Sequence, residues 1–478
     1  MRIIKLSLIV LFIILGCSKD KDDNLIELND DLEISDFVWK GLNEFYYWQT
    51  KVPNLDDSKI ENTNIYTQFI SQNSDPESFF ESLLYSDDRF SWIVDDYIEL
   101  ENSLQGIVAS NGMEFGLTRQ CSGCDELVGF VKYVHPESSA SAKNILRGDL
   151  FTVVNGFNLT IENYRDLLFS DDAMNYTITL SSYENEIFVA NGRNISLTKE
   201  ENFEKNPIYL DKIINIGPYR IGYLMYNQFV SKYDENLNDV FADFKSENIT
   251  DLVLDLRYNR GGSINSCIIL SSLVTGQFTG EVFSKQNWNE KLNTYWDEQE
   301  KDLNDYFVGS TSDGMALNSL NMNKVYILTS NESASASELL INGLASHIEV
   351  IQIGDRTTGK NVGSITIYDY IDNDGNKNPN HKYAMQPIVL AIANSAGFSD
   401  YTQGLEPNYE IKESVSQLGV LGHPDEVLLS KSIELINGVN SKRNYHYDNL
   451  IENRVPDPNM KKEQRLFIDD NDIMIKFK

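Results

Sequence analysis

KVYILTSNESASASELLINGLASHIEVIQIGDRTTGK, Lys324 to Lys360, holds an apolar run, a serine-rich turn, a helical pattern, a second apolar run and a turn ending on a lysine. KVYILTS reads as a buried strand, rich in β-branched and aromatic residues and bounded by turn formers. ASASELLINGLASH reads as a helix and VIQIGDR as a strand again. Upstream, IGYLMYN and DLVLDLR (251–257) are strands of the same kind, NRGGS breaks the second, and INSCIILSSLVTG reads as a helix. Such alternation predicts βαβ units around a largely parallel sheet.

Three serines fall within five positions, at Ser333, Ser335 and Ser337. One reading is capping: Ser335-Ala336-Ser337-Glu338 fits the S-x-x-E box that satisfies free N–H groups at a helix start. The other is chemical. A strand that runs straight into a serine turn presents a hydroxyl at the C-terminal sheet edge, where open α/β sheets place their sites. The helix start favours developing negative charge, and small Ala334 and Ala336 leave room for a substrate backbone. A second strand, DLVLDLR, ends in Asn259-Arg260-Gly261-Gly262, whose glycine N–H groups suit an oxyanion. Histidine is the usual base, yet none of His135, His347, His381, His423 and His446 sits in a strand-end motif. Lys360 closes the second strand of the unit, so it converges with Ser335 if the two strands are neighbours. A lysine base must be neutral, and burial can lower its ordinary value of about 10.4 by several units. The bland reading of Lys360 is a solvated turn residue.

The chain has 478 residues, 41% of them hydrophobic, enough for two or three domains with sizeable cores. Its formal charge of -32 repels phosphate backbones, which argues against nucleic acid as a partner. No run of eighteen apolar residues occurs. Arg2 and Lys5 precede LSLIVLFIILGC, the shape of a secretory signal. ILGC resembles a bacterial lipobox, which implies acylation of Cys17, a bilayer as partner, and a Gram-negative cell-envelope location in the outer membrane. The acidic run SKDKDDN that follows resembles a surface-export tag. Cys121 and Cys124 form CSGC, read as a structural loop oxidised outside the cytoplasm; one pair completes no zinc site, and no metal or cofactor is expected. DNDG at 372–375 is read as a hairpin tip, not a calcium loop.

FVWKGLNEFYYWQ and PESFFESLLY carry helical spacing and predict a small helical N-terminal domain. MEFGLT, VGFVKYV, DLFTVVNG and YTITLSS read as short strands. The order from Val131, VKYVHPESSASAKNILRGDLFTVVNGFNL, resembles a PDZ domain. That likeness implies a carboxylate-binding loop at Phe115, Gly116 and Leu117 and a neighbouring strand to which a peptide adds.

With DLVLDLRYNRGG upstream, the stretch from Val325 to Lys360 resembles the core of the C-terminal processing (tail-specific) serine proteases. The likeness runs from about residue 36 to 440. It implies a multidomain α/β protein: a ClpP/crotonase-like protease core at 201–440, preceded by a PDZ-like β domain at 104–200 and a helical domain at 36–103. Ahead of these lie a signal at 1–17 and an acidic tether at 18–35; the polar tail 441–478 receives no role. By resemblance Ser335 is the nucleophile, Lys360 the general base, and backbone N–H groups of Ala336 and of Gly261 or Gly262 form the oxyanion hole. Two positions depart from the family pattern. Ser364 stands where many members carry a glutamine that orients the lysine, and Ser346 stands where others carry an aspartate; Ser364 is the candidate support. The expected activity is that of a secreted, lipid-anchored serine endopeptidase with a Ser-Lys dyad, cleaving unfolded or C-terminal-tail polypeptides recruited partly by the PDZ-like domain. The alternatives are a catalytically decayed peptide-binding lipoprotein and an acyl-thioester enzyme of the same core fold.

Overall fold

Strand Asp251–Asp255 shows how the core is divided. Leu252 and Leu254 enter one apolar cluster, Val253 enters another, and all three are fully buried. Strand Lys324–Thr329 repeats the pattern, Val325 and Ile327 on one side and Tyr326 and Leu328 on the other. A period of two with both faces covered makes a central strand of a layered α/β core. The computed structural model describes residues 32–438 and 453–468, apart from positions 74, 171, 186, 373 and 417. Cys17, most of the acidic tether and His446 lie outside the described residues.

The first six-stranded sheet runs Ile208–Ile216, Tyr219–Tyr226, Asp251–Asp255, Lys324–Thr329, Glu349–Gly354, Tyr409–Glu410. Its opening pair is an antiparallel hairpin and every later pair is parallel. Helices Asp234–Ser246, Ile264–Thr275 and Ala336–Ala345 supply one cluster, and Val427–Ile436 supplies the other. Ile264–Thr275 is apolar almost all round and almost wholly buried, as a helix of that composition must be. Beside this sheet stands a second, ordered Gly261–Ser263, Arg465–Phe467, Val362–Ser364, Ile388–Asn394, Val282–Trp288, Asn304–Tyr306.

The expected helical region forms as Glu33–Phe45, Thr63–Ile70 and Pro76–Ser82, the last capped by Asp75 with Pro76 at its first turn. It has no core of its own. Trp39, Leu42, Tyr66 and Phe80 belong to the same apolar cluster as Leu270, Leu292 and Ile392. Strand Trp92–Val94 pairs with Ala384–Gln386 in a separate three-stranded sheet completed by Ile367–Tyr368, which ties this region to the chain leading into Ile388–Asn394.

Residues 107–204 form a β unit with a cluster of its own, including Val131, Phe151, Val154 and Ile178. Ile107–Ser110 and Glu200–Glu204 pair at its neck. Cys121 and Cys124 are joined as a disulfide. Phe115, Gly116 and Leu117 do not make a loop: they lie inside strand Met113–Arg119, paired with Leu127–Val134. The reason is packing. A methyl group on Gly116 would stand 2.4 Å from the Phe130 ring, and Phe115 packs on Phe151 and Phe169. The free edge of this strand is occupied antiparallel by Arg454–Val455, opposite Thr118 and Leu117.

Candidate active site

The serine turn separates its hydroxyls into two kinds. Ser333 Oγ donates to the Leu256 carbonyl (2.8 Å), Ser337 Oγ to the Asn259 carbonyl (3.0 Å), and Ser330 Oγ to the Arg257 carbonyl. These bonds tie the turn to the end of the neighbouring strand. Ser335 alone of the four is buried with a hydroxyl that meets no hydrogen-bond partner among the described residues. Its backbone sits at φ +65°, ψ −113°, a costly conformation for a residue with a side chain. It is the N-cap of Ala336–Ala345, and the Glu338 half of the expected capping box forms on its backbone N–H, while its hydroxyl meets no hydrogen-bond partner among the described residues.

Glu338 ties this helix start to the lysine turn. Its buried carboxylate accepts the N–H groups of Ser335 (2.7 Å), Gly359 (2.6 Å) and Lys360 (2.8 Å) and the Thr357 hydroxyl (2.5 Å). Strands Lys324–Thr329 and Glu349–Gly354 are parallel neighbours in register from Lys324↔Glu349 to Thr329↔Gly354, so serine and lysine turns leave the same sheet edge. The loop at 403–405 braces the lysine turn from behind: Leu405 N–H donates to Thr357 Oγ1 (2.7 Å). Gly404 has φ +93° and lies so close to Thr357 that a methyl group would meet its carbonyl oxygen at 2.1 Å.

Lys360 is 2% exposed. Burial pushes its amine down to about 7; Asp88 opposes that shift, Arg465 reinforces it and Glu338 opposes it. Nζ stands 5.1 Å from the centre of the Phe90 ring and donates to the Gln464 carbonyl at 2.6 Å. Ser364, the expected support, does not serve the lysine. Its hydroxyl goes to Gln386 Oε1 (2.7 Å) and the Leu466 carbonyl (3.3 Å), because Ser364 already belongs to the strand that runs beside Leu466.

At the glycine edge the expectation changes in part. Gly261 N–H is taken by Asn259 Oδ1 at 2.8 Å, and Gly262 is paired opposite Leu466 and Phe229. Gly261 (φ +103°) nevertheless has to be glycine. A methyl group there would stand 2.1 Å from the Arg465 carbonyl oxygen, 2.7 Å from Ser335 Cβ and 3.0 Å from the Ala336 nitrogen. Ala336 opens its helix, so its N–H has no intrahelical acceptor and faces this crowded point.

Sequence reasoning left out two groups. The stretch DDRFSWI (87–93) frames the lysine with Asp88 and Phe90, and Arg89 donates to the Gly359 carbonyl at 2.7 Å. The tail, given no role, supplies Gln464 and Arg465. Nothing local marks either; both arrive through tertiary pairing. The described histidines lie elsewhere. His347 contacts the Val282 carbonyl and Ser395 Oγ, His381 pairs with Asp369, His135 packs in the aromatic group of Tyr133 and Tyr209, and His423 is exposed near Asp425.

Comparison with protein families matches residues 220–410 to the description "Peptidase family S41" and residues 33–92 to "Peptidase S41 N-terminal domain". The chain belongs to peptidase family S41. A carboxyl-terminal-processing protease of Picosynechococcus is 20% identical over 289 residues, 59% of this chain. That match spans 62% of the relative's length. A crystal structure from Bacteroides fragilis described as an S41 protease has a TM-score of 0.66 at 23% identity, covering 85% of this chain and 98% of that one, and shows the fold.

Proposed function

We propose that the chain is a serine endopeptidase acting on unfolded or C-terminal polypeptide segments through Ser335 and Lys360. One observation carries the reading: in a turn where Ser330, Ser333 and Ser337 are all bonded, Ser335 is buried and unbonded, on a helix start one carboxylate away from an amine that burial brings to about 7. Ser335 Oγ attacks a peptide carbonyl. Neutral Lys360 Nζ takes the hydroxyl proton and returns it to the leaving amine, and water then releases the acyl group by the same exchange. The Ala336 N–H at the helix start, beside Gly261, holds the oxyanion. Nζ has to turn from the Gln464 carbonyl to Ser335 Oγ for this to run.

In this reading the β unit at 104–200 is PDZ-like and offers the edge of Met113–Arg119 to an extended peptide. The lipobox cysteine, Cys17, holds the mature chain on a bilayer of the cell envelope. The test is cleavage of unfolded casein by the chain lacking residues 1–17, followed across pH. Activity is expected to rise through about pH 7, as the amine loses its proton, and to vanish in Ser335→Ala and Lys360→Ala. Full turnover by folded Ser335→Ala overturns the assignment.

A further inference from the structure

Residues 453–468 touch both halves of the proposed machinery. Arg454–Val455 adds as an antiparallel edge strand to Met113–Arg119. Arg465–Phe467 then lies parallel between Gly261–Ser263 and Val362–Ser364, the two strands that flank the site. The walls read its main chain almost atom by atom. Lys360 Nζ donates to the Gln464 carbonyl, Arg465 N–H to the Arg260 carbonyl (3.0 Å), Ser364 Oγ to the Leu466 carbonyl, and Ile468 N–H to the Ser364 carbonyl (3.3 Å). The Arg465 carbonyl oxygen, Ser335 Cβ and the Ala336 nitrogen all lie within 3.0 Å of the point where a Gly261 Cβ would stand. Leu466 is fully buried, within the main apolar cluster.

Between the two strands a cavity of about 390 Å³, lined by Phe115, Leu117, Phe130 and Thr358, underlies the tail and makes the path continuous. Charge pins the tail over it. Arg260 holds Asp457 (3.0 Å) and Glu463, Glu332 holds Arg454 (3.2 Å), and Lys461 reaches Glu81 (3.0 Å).

We propose that this path is the polypeptide-binding slot and that the chain's own C-terminal segment occupies it as a tethered competitor. The slot takes an extended polypeptide by strand addition at two points, recognising main chain at the site and one apolar side chain at the place Leu466 fills in the main apolar cluster. The resident tail also explains the uncoupled pair: Lys360 is held by Gln464, so Ser335 has no base until the tail withdraws. The inference rests on the peptidase reading for its chemistry, but its test reads binding.

The full chain carrying Ser335→Ala is made with a cleavage site for a specific protease inserted within 439–452, so that it folds with its tail. It is then cut, and the fragment is removed in high salt. Binding of fluorescent unfolded casein is measured before and after. A tethered segment acts at millimolar effective concentration, so the uncut chain is expected to bind about 10–100-fold more weakly. A synthetic peptide of residues 453–468 should displace casein from the cut chain. In a second, uncut chain, Asp457→Lys with Glu463→Lys places like charge against Arg260 and should strengthen casein binding. Equal binding by cut and uncut chains, failure of the peptide to displace casein, or loss of folded structure when the tail leaves would each overturn the proposal. Cut wild-type chain that binds casein without cleaving it would sink the peptidase reading and leave the occupied slot standing.

Discussion

Two cations are buried close to the same sheet edge, and they are treated in opposite ways. Arg257, fully buried, has its fork filled by Asp255 (2.8 and 2.9 Å), Glu426 (2.7 and 2.9 Å) and Glu413 (2.9 Å). Arg147 reaches in from the β unit to join them at Glu413 (2.6 Å). Among the described residues, Lys360 has one carbonyl, one aromatic face and no carboxylate in contact. A buried charge that is paired on every side can only hold things in place, and its guanidinium never loses its proton. A buried charge left nearly unpaired is unstable as a charge, and that instability is what suits Lys360 to the proposed role of base. Chemistry is legible in this core as incomplete satisfaction.

The largest expected effect breaks the lysine side of the comparison. Lys360→Met should lower casein cleavage by about 10⁴-fold or more, as removal of a catalytic pair member does elsewhere. The same variant should melt at a higher temperature than wild type at pH 6.5. The sign follows from the lowered amine: the unfolded lysine holds its proton up to about pH 10.4, the folded one only to about 7. The cost of burying charge is therefore full below pH 7, fades as pH rises, and is gone near pH 10, where the two melting curves should meet. A wild type as stable as Lys360→Met at pH 6.5 would show the amine to be well solvated.

Next comes the arginine side. Arg257→Met strands Asp255 and Glu426 without a cation, and should cost about 3–5 kcal/mol in denaturant melts. Its partners also set an acid limit. Glu413 is pushed up by burial, but Arg147 and Arg257 more than reverse this and hold its carboxyl at about 2. Its contribution is present above the ordinary carboxylate range and is lost as pH falls from about 4 toward 2. Arg147→Met should move the acid unfolding midpoint upward, read by circular dichroism.

A smaller effect tests what keeps the lysine neutral. Phe90→Ser admits water and polarity to Nζ, and the pH–rate profile for casein should shift to higher pH by about one unit or more. An unchanged profile would assign the low value to something other than burial beside that ring. Smallest of all, Ser337→Ala removes one anchoring bond, costing about 1 kcal/mol of stability with turnover held within a few-fold. The difference between Ser337→Ala and Ser335→Ala separates the two kinds of serine directly.

The strand–turn–helix that presents Ser335 and the parallel strand that delivers Lys360 were legible because both follow from local periodicity and the adjacency of one βαβ unit. The spacing of the serines hid their division of labour, since four hydroxyls of one type look alike until the carbonyls of 256–259 are placed beside them. The PDZ likeness implies a loop at FGLT, while the pattern of MEFGLT reads as a strand; the strand is what forms, and Gly116 gives way within it to the Phe130 ring. The surroundings of Lys360 could not be read at all. Phe90 and Gln464 come from opposite ends of the chain, and no pattern within either segment points at the other.

One carboxylate, that of Glu338, grips the backbone on both sides of the chemistry, at Ser335 and at Lys360. The backbones of the two turns thus share one strut instead of two independent mountings, and the Lys360 side chain, held at Gln464, is the part left to move. In the proposed dyad the backbones of nucleophile and base ride on that strut together when the domain breathes.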